Sequence, residues 1–411
     1  MENTSPEATH RETLAGELLG HCLAQRPWPA HLLDNLLACG GDRELFRVVV
    51  ERLGDLFEPG LCRVYAELFG EVIARHIPGL HAEHLLSRYE RIRRPRVFER
   101  DPDSVQNVFV LSRVTLGADV AVTSIILDAA KQRFPGAAIW FAGPKKSWEL
   151  FAADPRLKHL PVLYGRGGTI HDRLSVWPQL REAVSLPNSI VIDPDSRLTQ
   201  LGLLPICPEE DYYFFESRAY GGDKDDPLPI LAGRWASKTF GATHARPYIS
   251  TRFSGAEFAT TVSFGVGENA AKRVPDPFEE ELLRRLPRPI LIDKGAGGEE
   301  AERVERAVAK AGSEGIATWE GSFAGFAAHV QRSQLYAGYD SAGGHVAAAC
   351  GIPMIGIFAG AVSERMFQRW RPTGQGKIRV IRPEGMRLAD LLATFESLLS
   401  DLQAERPASQ T

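Results

Sequence analysis

Residues 334–360 read QLYAGYDSAGGHVAAACGIPMIGIFAG, and this stretch decides the fold of the chain. An apolar strand over 335–339 leads into a small polar turn, 340–345, which an alanine-rich helix and a second apolar strand follow. A strand, a glycine-rich turn and a helix direct backbone N–H groups and the positive helix end at an anion, usually a phosphate. The same pattern also suits a plain βαβ corner in which Asp340 or Ser341 only caps the helix.

Composition limits the classes of protein that the chain can belong to. A net charge of −4 over 411 residues does not indicate nucleic-acid binding, so any anion recognition must be local. The five cysteines form no C-x-x-C pair, which argues against a disulfide framework or a zinc site and for a reducing compartment. The N-terminus has no apolar secretory segment, and no apolar run is long enough for a membrane span. We expect a cytoplasmic protein and leave open a peripheral contact with the inner face of the membrane.

The periodicity of apolar residues divides the chain into three regions. Residues 1–98 show i, i+4 spacing and predict an all-α domain, either a cap on the next domain or a module for oligomerisation or a protein partner. The charged, proline-containing segment 91–103 resembles a linker. Strands alternate with helices over 105–250 and again over 256–405, which predicts two parallel sheets. The glycine- and proline-rich segment 221–255 separates the two series. Such doubly wound domains, when they face each other, form a ligand cleft at the carboxyl ends of both sheets.

The turn after the apolar strand 260–265 suits a diphosphate. Gly265 and Gly267 allow a close approach of the backbone, and Lys272 and Arg273 supply cations for the phosphate oxygens. A solvated basic pair is the alternative interpretation.

A second glycine turn, KGAGGEE at 294–300, follows the next strand and opens a helix. Glu299 or Glu300 could accept hydrogen bonds from ribose hydroxyls, or could only complement the helix dipole. The Gly265-x-Gly267-x-x-Ala270 spacing also matches the dinucleotide fingerprint of an NAD(P)-dependent oxidoreductase. This match is weak, because no long apolar helix follows it in the sequence.

The second region offers a general base and an anion contact. Asp119 stands at a helix start after the first strand, where it could deprotonate an acceptor hydroxyl or only cap the helix. Arg197 is a candidate contact for an anionic acceptor. Asp193 and Asp195 could be taken for a metal-binding pair, but no further hard ligands accompany them, so we predict no metal site.

In their order and spacing, these motifs resemble glycosyltransferase family 9, the heptosyltransferase family, over roughly residues 107–385. LGADVAVTS at 116–124 looks like the Gly-Asp turn of the family, with one extra residue, Ala118, between the glycine and the aspartate. Residues 263–273 look like its phosphate loop and 295–302 like its glutamate-containing glycine turn. The turn at 340–345 looks like its Asp-Thr-Gly-x-x-His signature.

The resemblance implies an α/β protein of the GT-B fold, with two facing Rossmann-like domains, here preceded by the all-α region. It implies metal-independent, inverting transfer of a sugar, usually heptose from ADP-heptose, to a hydroxyl of a lipopolysaccharide or another glycan or lipid-linked acceptor. No cofactor is implied beyond the nucleotide-sugar co-substrate.

The resemblance also assigns roles to residues. It makes Asp119 the base, Lys272 the diphosphate cation, and Glu299 or Glu300 the ribose contact. The backbone that would hold the phosphates belongs to Ser341, Ala342, Gly343, Gly344 and His345. An oxidoreductase and a non-catalytic nucleotide-sugar binding protein are the alternative functions.

Overall fold

The computed structural model describes residues 6–165, 168–267, 269–295 and 297–405. Residues 1–5 of the predicted all-α region, and one residue of each glycine turn (Glu268 and Ala296), lie outside this part of the chain. Among the described residues, no helix is both long and apolar enough to cross a membrane.

The first region is helical, as its periodicity predicts, and its apolar faces are buried. Its helices are Pro6–Leu23, Ala30–Ala38, Asp42–Glu44, Glu51–Asp55, Pro59–His76 and Ala82–Ile92, with a π-helical segment at Leu45–Val50. Tyr65 and Tyr89 of these helices share one apolar core with Phe109 and Phe214 of the first sheet. We call this region, 6–92, the helical cap, because it covers one face of that sheet.

The first sheet has five parallel strands in the order β3-β2-β1-β4-β5. The strands are Asn107–Leu111 (β1), Ala138–Gly143 (β2), Leu157–Pro161 (β3), Ser189–Asp193 (β4) and Tyr212–Phe214 (β5). The intervening helices are Leu116–Ala118, Ser124–Arg133, Lys145–Trp148, Ile170–Leu174 and Val176–Ala183, with a π-helical segment at Asp119–Thr123. Successive residues of β1 alternate between the two faces: Val108 and Val110 face the helices, whereas Phe109 and Leu111 face the helical cap.

The second sheet has six parallel strands in the order β11-β10-β9-β6-β7-β8. The strands are Thr260–Ser263 (β6), Ile290–Asp293 (β7), Ile316–Trp319 (β8), Leu335–Tyr339 (β9), Met354–Ile357 (β10) and Ile378–Ile381 (β11). The helices of this region are Phe278–Arg285, Gly298–Ala311, Phe323–Val330, Ala342–Ala349, Glu364–Trp370 and Leu388–Ala404. The two doubly wound sheets confirm the predicted α/β architecture.

The segment 221–255 is more than a connector, which corrects the prediction. It contains the helix Leu228–Phe240, whose Trp235 is 1% exposed and packs in the core under the first sheet.

The predicted linker 91–103 is also docked rather than loosely solvated. Arg93 pairs with Glu216, with 3.1 Å between Nη2 and Oε2, and Arg91 pairs with Glu209 at 2.6 Å. Arg96 donates to the backbone carbonyl of Glu209 at 2.8 Å. These contacts attach the helical cap to the β5 edge of the first sheet.

The two sheet-containing domains pack directly against each other through an apolar core. Val346 and Ala347 of the second domain belong to the same buried cluster as Val120 and Ile126 of the first. The carboxyl edges of the two sheets meet there, since a Cβ on Gly117 would lie 3.5 Å from the Cα of Ala342.

Candidate active site

The predicted site turns lie where the strand order of each sheet reverses. In the first sheet the reversal is between β1 and β4, and in the second between β6 and β9. The turn holding Asp119 follows β1, Arg197 follows β4, Lys272 follows β6 and the 340–345 turn follows β9. Ligands of open α/β sheets bind at such switch points, outside the carboxyl ends of the strands.

The 340–345 turn leads into the eight-residue helix Ala342–Ala349, and Tyr336 lies beneath it. A Cβ on Gly343 would lie 2.4 Å from the Tyr336 hydroxyl oxygen, so any other residue there would force a shift. The Ser341 hydroxyl lies 3.3 Å from the same Tyr336 oxygen. The Tyr336 side chain therefore packs directly beneath the first turn of this helix.

Lys272 lies beside this turn. Its Nζ lies 2.5 Å from Oδ2 of Asp340 and 3.5 Å from the Asp340 carbonyl oxygen. Both side chains are partly buried, with 21% exposure for Lys272 and 12% for Asp340. The lysine cation is thus held beside the first residues of the helix.

Arg273 is turned away from the turn, which corrects its prediction as a phosphate cation. Its Nε pairs with Oε1 of Glu279 at 3.2 Å, and its Nη2 contacts Asp276. Glu279 is 3% exposed and also accepts from the Tyr339 hydroxyl at 3.1 Å. Arg273 therefore stabilises the helix start at Phe278–Arg285.

The two glycine turns are joined by Glu300. Its Oε1 accepts from the Val266 N–H at 3.2 Å, and a Cβ on Gly265 would lie 3.0 Å from the same oxygen. Gly267 has φ of +58°, a left-handed conformation that favours glycine. Glu299 is exposed on the first turn of its helix. Of the two predicted ribose contacts, Glu300 is the one positioned at the Gly265 loop.

The dinucleotide fingerprint lacks the structure that it requires. Such a fingerprint needs an α-helix that starts in the glycine turn. Here the turn leads only into a 3-10 segment, Ala270–Lys272, and the next α-helix begins at Phe278.

Asp119 does not face the cleft, which corrects its prediction as the base. Its side chain is 0% exposed and accepts from the Ser112 hydroxyl at 2.7 Å, the Arg113 N–H at 2.7 Å and the Thr123 hydroxyl at 2.8 Å. Burial raises the pKa of the carboxyl group, and the hydrogen bonds from Ser112 and Thr123 act in the opposite direction. Asp119 therefore braces the loop after β1.

The chain is π-helical from Asp119 onward, directly after Ala118. A single residue inserted into a helix is commonly absorbed as one π-helical turn, and such a turn is present at Asp119–Thr123. The loop that Asp119 braces contains Val114 with φ of +59°. A β-branched residue in that conformation marks local strain, which clusters at functional sites.

The first domain places a cluster of arginines at its side of the cleft. Arg218 Nη1 lies 2.5 Å from Asp195 Oδ2, and Arg113 Nη1 donates to the Ser217 hydroxyl at 2.5 Å. Burial lowers the pKa of Arg113 to about 10. Arg197 is half-buried, and its Nη1 is a buried donor without a partner. The candidate acceptor contact is therefore part of a cationic wall.

Asp193 and Asp195 have separate partners within this wall. Asp193 is 0% exposed and accepts from the Tyr212 hydroxyl at 2.5 Å and the Ser196 N–H at 2.6 Å, while Asp195 pairs with Arg218. Burial raises the pKa of Asp193 to about 6. Among the described residues, no three His, Cys, Asp or Glu side chains are grouped so as to hold a metal ion.

His345 closes the contact between the two domains. Its Cδ2 lies 3.2 Å from where a Cβ on Gly117 would be, and its ring stands edge-on to Trp370 at 5.9 Å between centroids. Burial lowers the pKa of His345 to about 4, so its ring is neutral at pH 7. The imidazole therefore packs between the domains.

One residue near the cleft carried no signal in the sequence. Asp55, the last residue of the helix Glu51–Asp55, lies close enough to Arg218, Arg197 and Lys272 to interact with their charges. It belongs to the helical cap, outside the region of family resemblance, and neither its neighbours nor its spacing distinguish it from other surface acids.

Two doubly wound domains that meet at their carboxyl edges, with a phosphate-type turn at the contact, define the GT-B class of fold. Solved structures of that class match the chain. The glycosyl transferase family 9 from Veillonella parvula aligns with a TM-score of 0.55 and 14% identity, covering 73% of this chain and 98% of that one.

Two structures from E. coli are similar to the same extent. For heptosyltransferase WaaC with ADP-2-deoxy-2-fluoro heptose the TM-score is 0.53 at 16% identity, covering 72% of this chain and 99% of that chain. For ADP-heptose lps heptosyltransferase II the TM-score is 0.51 at 17% identity, covering 73% of this chain and 100% of that chain. No family model and no curated protein matches the sequence. The similarity confirms the predicted GT-B fold and, at the level of fold, the resemblance to glycosyltransferase family 9.

Proposed function

We propose that the protein is a glycosyltransferase that transfers a sugar from a nucleotide-activated donor to a hydroxyl group of a glycan or lipid-linked acceptor. The observation that carries the proposal is the position of Lys272 beside the 340–345 turn at the switch point of the second sheet. A lysine and a helix N-terminus at one point neutralise a diphosphate and stabilise it as a leaving group.

We propose ADP-heptose as the donor, because the structurally similar E. coli proteins are heptosyltransferases and one is solved with an ADP-sugar. In this arrangement Lys272 and the backbone N–H groups of 341–345 bind the diphosphate. Glu300, at the Gly265 loop, is the carboxylate for the ribose hydroxyls. Arg197, with its unpartnered donor, contacts an anionic group of the acceptor.

The first test is binding of ADP, UDP and ADP-heptose by calorimetry, followed by release of ADP from ADP-heptose. We expect Lys272→Ala to lower turnover about 10²–10³-fold, because it removes one cation from the developing charge on the diphosphate. Lys238→Ala, which removes an exposed lysine from the helix Leu228–Phe240, is the matched control and should behave like the wild type.

The outcomes separate the alternative functions. Near-normal turnover of Lys272→Ala would remove Lys272 from the mechanism. Tight binding of the nucleotide without any turnover would favour a non-catalytic nucleotide-sugar binding protein, and binding of NADH alone would favour the oxidoreductase.

A further inference from the structure

One segment of the helical cap, residues 54–57, lies at the contact between the two domains. The Phe57 carbonyl accepts from Arg365 Nε at 2.6 Å, and the Phe57 ring stands edge-on to Trp370 at 6.2 Å. Trp370 in turn contacts His345 of the 340–345 turn. Phe57 itself is 2% exposed with φ of +55°, so the surrounding structure holds the segment in an unfavourable conformation.

On its other side the segment lies against the arginine cluster of the first domain. A Cβ on Gly54 would lie 3.1 Å from Arg218 Nε, and that nitrogen is a buried donor without a partner. The segment therefore lies between the cationic wall of the first domain and the second-domain helix Glu364–Trp370.

Asp55 is the carboxylate that this segment presents. Its side chain is half-buried, and burial raises its pKa, while Arg218, Arg197 and Lys272 act in the opposite direction, in that order, followed by Arg52. Lys272 is the proposed diphosphate cation and Arg197 the proposed acceptor contact. Asp55 directly follows Gly54, which lies against Arg218, and its carboxylate is within range of the charges of Lys272 and Arg197.

The two aspartates of the first domain near this place do not present an open carboxylate. The carboxylate of Asp119 is enclosed by three donors and is 0% exposed, so a substrate hydroxyl does not reach it. Asp195 is 3% exposed and paired with Arg218.

We propose that Asp55, supplied by the helical cap, takes the proton of the acceptor hydroxyl in the transfer reaction. This inference rests on the proposed glycosyltransferase function. As the acceptor oxygen forms its bond to the anomeric carbon, its proton passes to the Asp55 carboxylate. The bond from that carbon to the diphosphate oxygen breaks, and the electron pair leaves with the nucleoside diphosphate, which Lys272 stabilises.

The test compares Asp55→Asn and Asp55→Glu with the wild type in the full chain. The rate of ADP release from ADP-heptose, with water as the acceptor, is measured from pH 5 to pH 9, and ADP affinity is measured by calorimetry. We expect Asp55→Asn to lower the rate about 10²–10⁴-fold and to remove the acid limb of the pH profile. Asp55→Glu keeps a carboxylate and should recover part of the rate. Glu58→Gln, an exposed acid in the next turn of chain, is the matched control.

The affinity measurement separates a catalytic from a structural role. Asp55→Asn should bind ADP at least as tightly as the wild type, because a negative charge near Lys272 is lost. A rate of Asp55→Asn within threefold of the wild type, or an equal loss in both variants together with lost ADP binding, overturns the inference. The wild type could also bind ADP but release no ADP from ADP-heptose. That result would support the nucleotide site and overturn Asp55 as a base. Absence of any nucleotide binding overturns the proposed function itself.

Discussion

At the scale of single residues, Gly343 and Gly344 form a matched pair at the centre of the site. A Cβ on Gly343 would lie 2.4 Å from the hydroxyl oxygen of the fully buried Tyr336, whereas a Cβ on Gly344 would meet Met354 Cε at an ordinary 3.4 Å. We expect Gly343→Ala to lower the free energy of unfolding by about 1–3 kcal/mol through overpacking. Gly344→Ala should lie within about 1 kcal/mol of the wild type. Urea unfolding of both variants checks this, and equal effects would contradict the geometry.

The sequence predicted the location of the site turns better than the direction of their side chains. A glycine-rich turn after an apolar strand is a local signal, so the sequence located the 340–345 turn between a strand and a helix, and Lys272 lies beside that turn. The direction of the Asp119 carboxylate depends on Ser112 and Thr123, which hold it from two sides. Arg273 is likewise drawn away by Glu279. Such choices between partners depend on tertiary packing, and no local pattern records them.

At the scale of elements, the segment that follows the helical cap is held by an ion pair at Glu216. This carboxylate is 6% exposed, contacts the Tyr89 hydroxyl and pairs with Arg93. Its pKa is raised to about 7, mainly by burial, while Arg93 acts in the opposite direction. Arg93→Ala should therefore lower the free energy of unfolding by about 2–4 kcal/mol, less than for a fully buried pair because Arg93 is 19% exposed.

The effect of Arg93→Ala should also depend on pH. A carboxyl group whose pKa is higher in the folded than in the unfolded protein makes stability fall as pH rises through that interval. Without Arg93 the pKa of Glu216 in the folded protein should rise further above 7. The loss in free energy of unfolding caused by Arg93→Ala should therefore be larger at pH 8 than at pH 6. Urea unfolding at the two values measures it, with the exposed neighbour Arg94→Ala as the control. A deficit independent of pH would mean that the Glu216 pair is not the cause.

The alternation of strands and helices was predictable because most strands are short apolar runs between polar turns, and both parallel sheets are present. The structures of the two connecting segments, 91–103 and 221–255, were not predictable. Arginines and prolines are typical of linkers, so the segment 91–103 gave no sign that its cations would meet Glu209 and Glu216 of another element. The helix Leu228–Phe240 was not predicted, because the segment that contains it is rich in glycine and proline.

At the scale of the whole molecule, shared cores join all three regions. The helical cap and the first sheet share one core, and Val346 of the second domain is buried with Val120 of the first. We therefore expect one cooperative transition in urea, with coincident curves from tryptophan fluorescence and far-ultraviolet circular dichroism. Val346→Ala should shift that transition as a whole by about 1–3 kcal/mol. Two separate transitions would show instead that the domains unfold independently.

The left-handed backbone at Val114 and Phe57 is a strain that simple substitution does not remove at a net gain. Each such residue costs about 1–3 kcal/mol, which glycine at the same place would largely avoid. Both side chains are buried, however, so glycine would lose apolar packing worth at least as much. A laboratory selection for thermostability should therefore leave these two positions unchanged and find its improvements elsewhere in the chain.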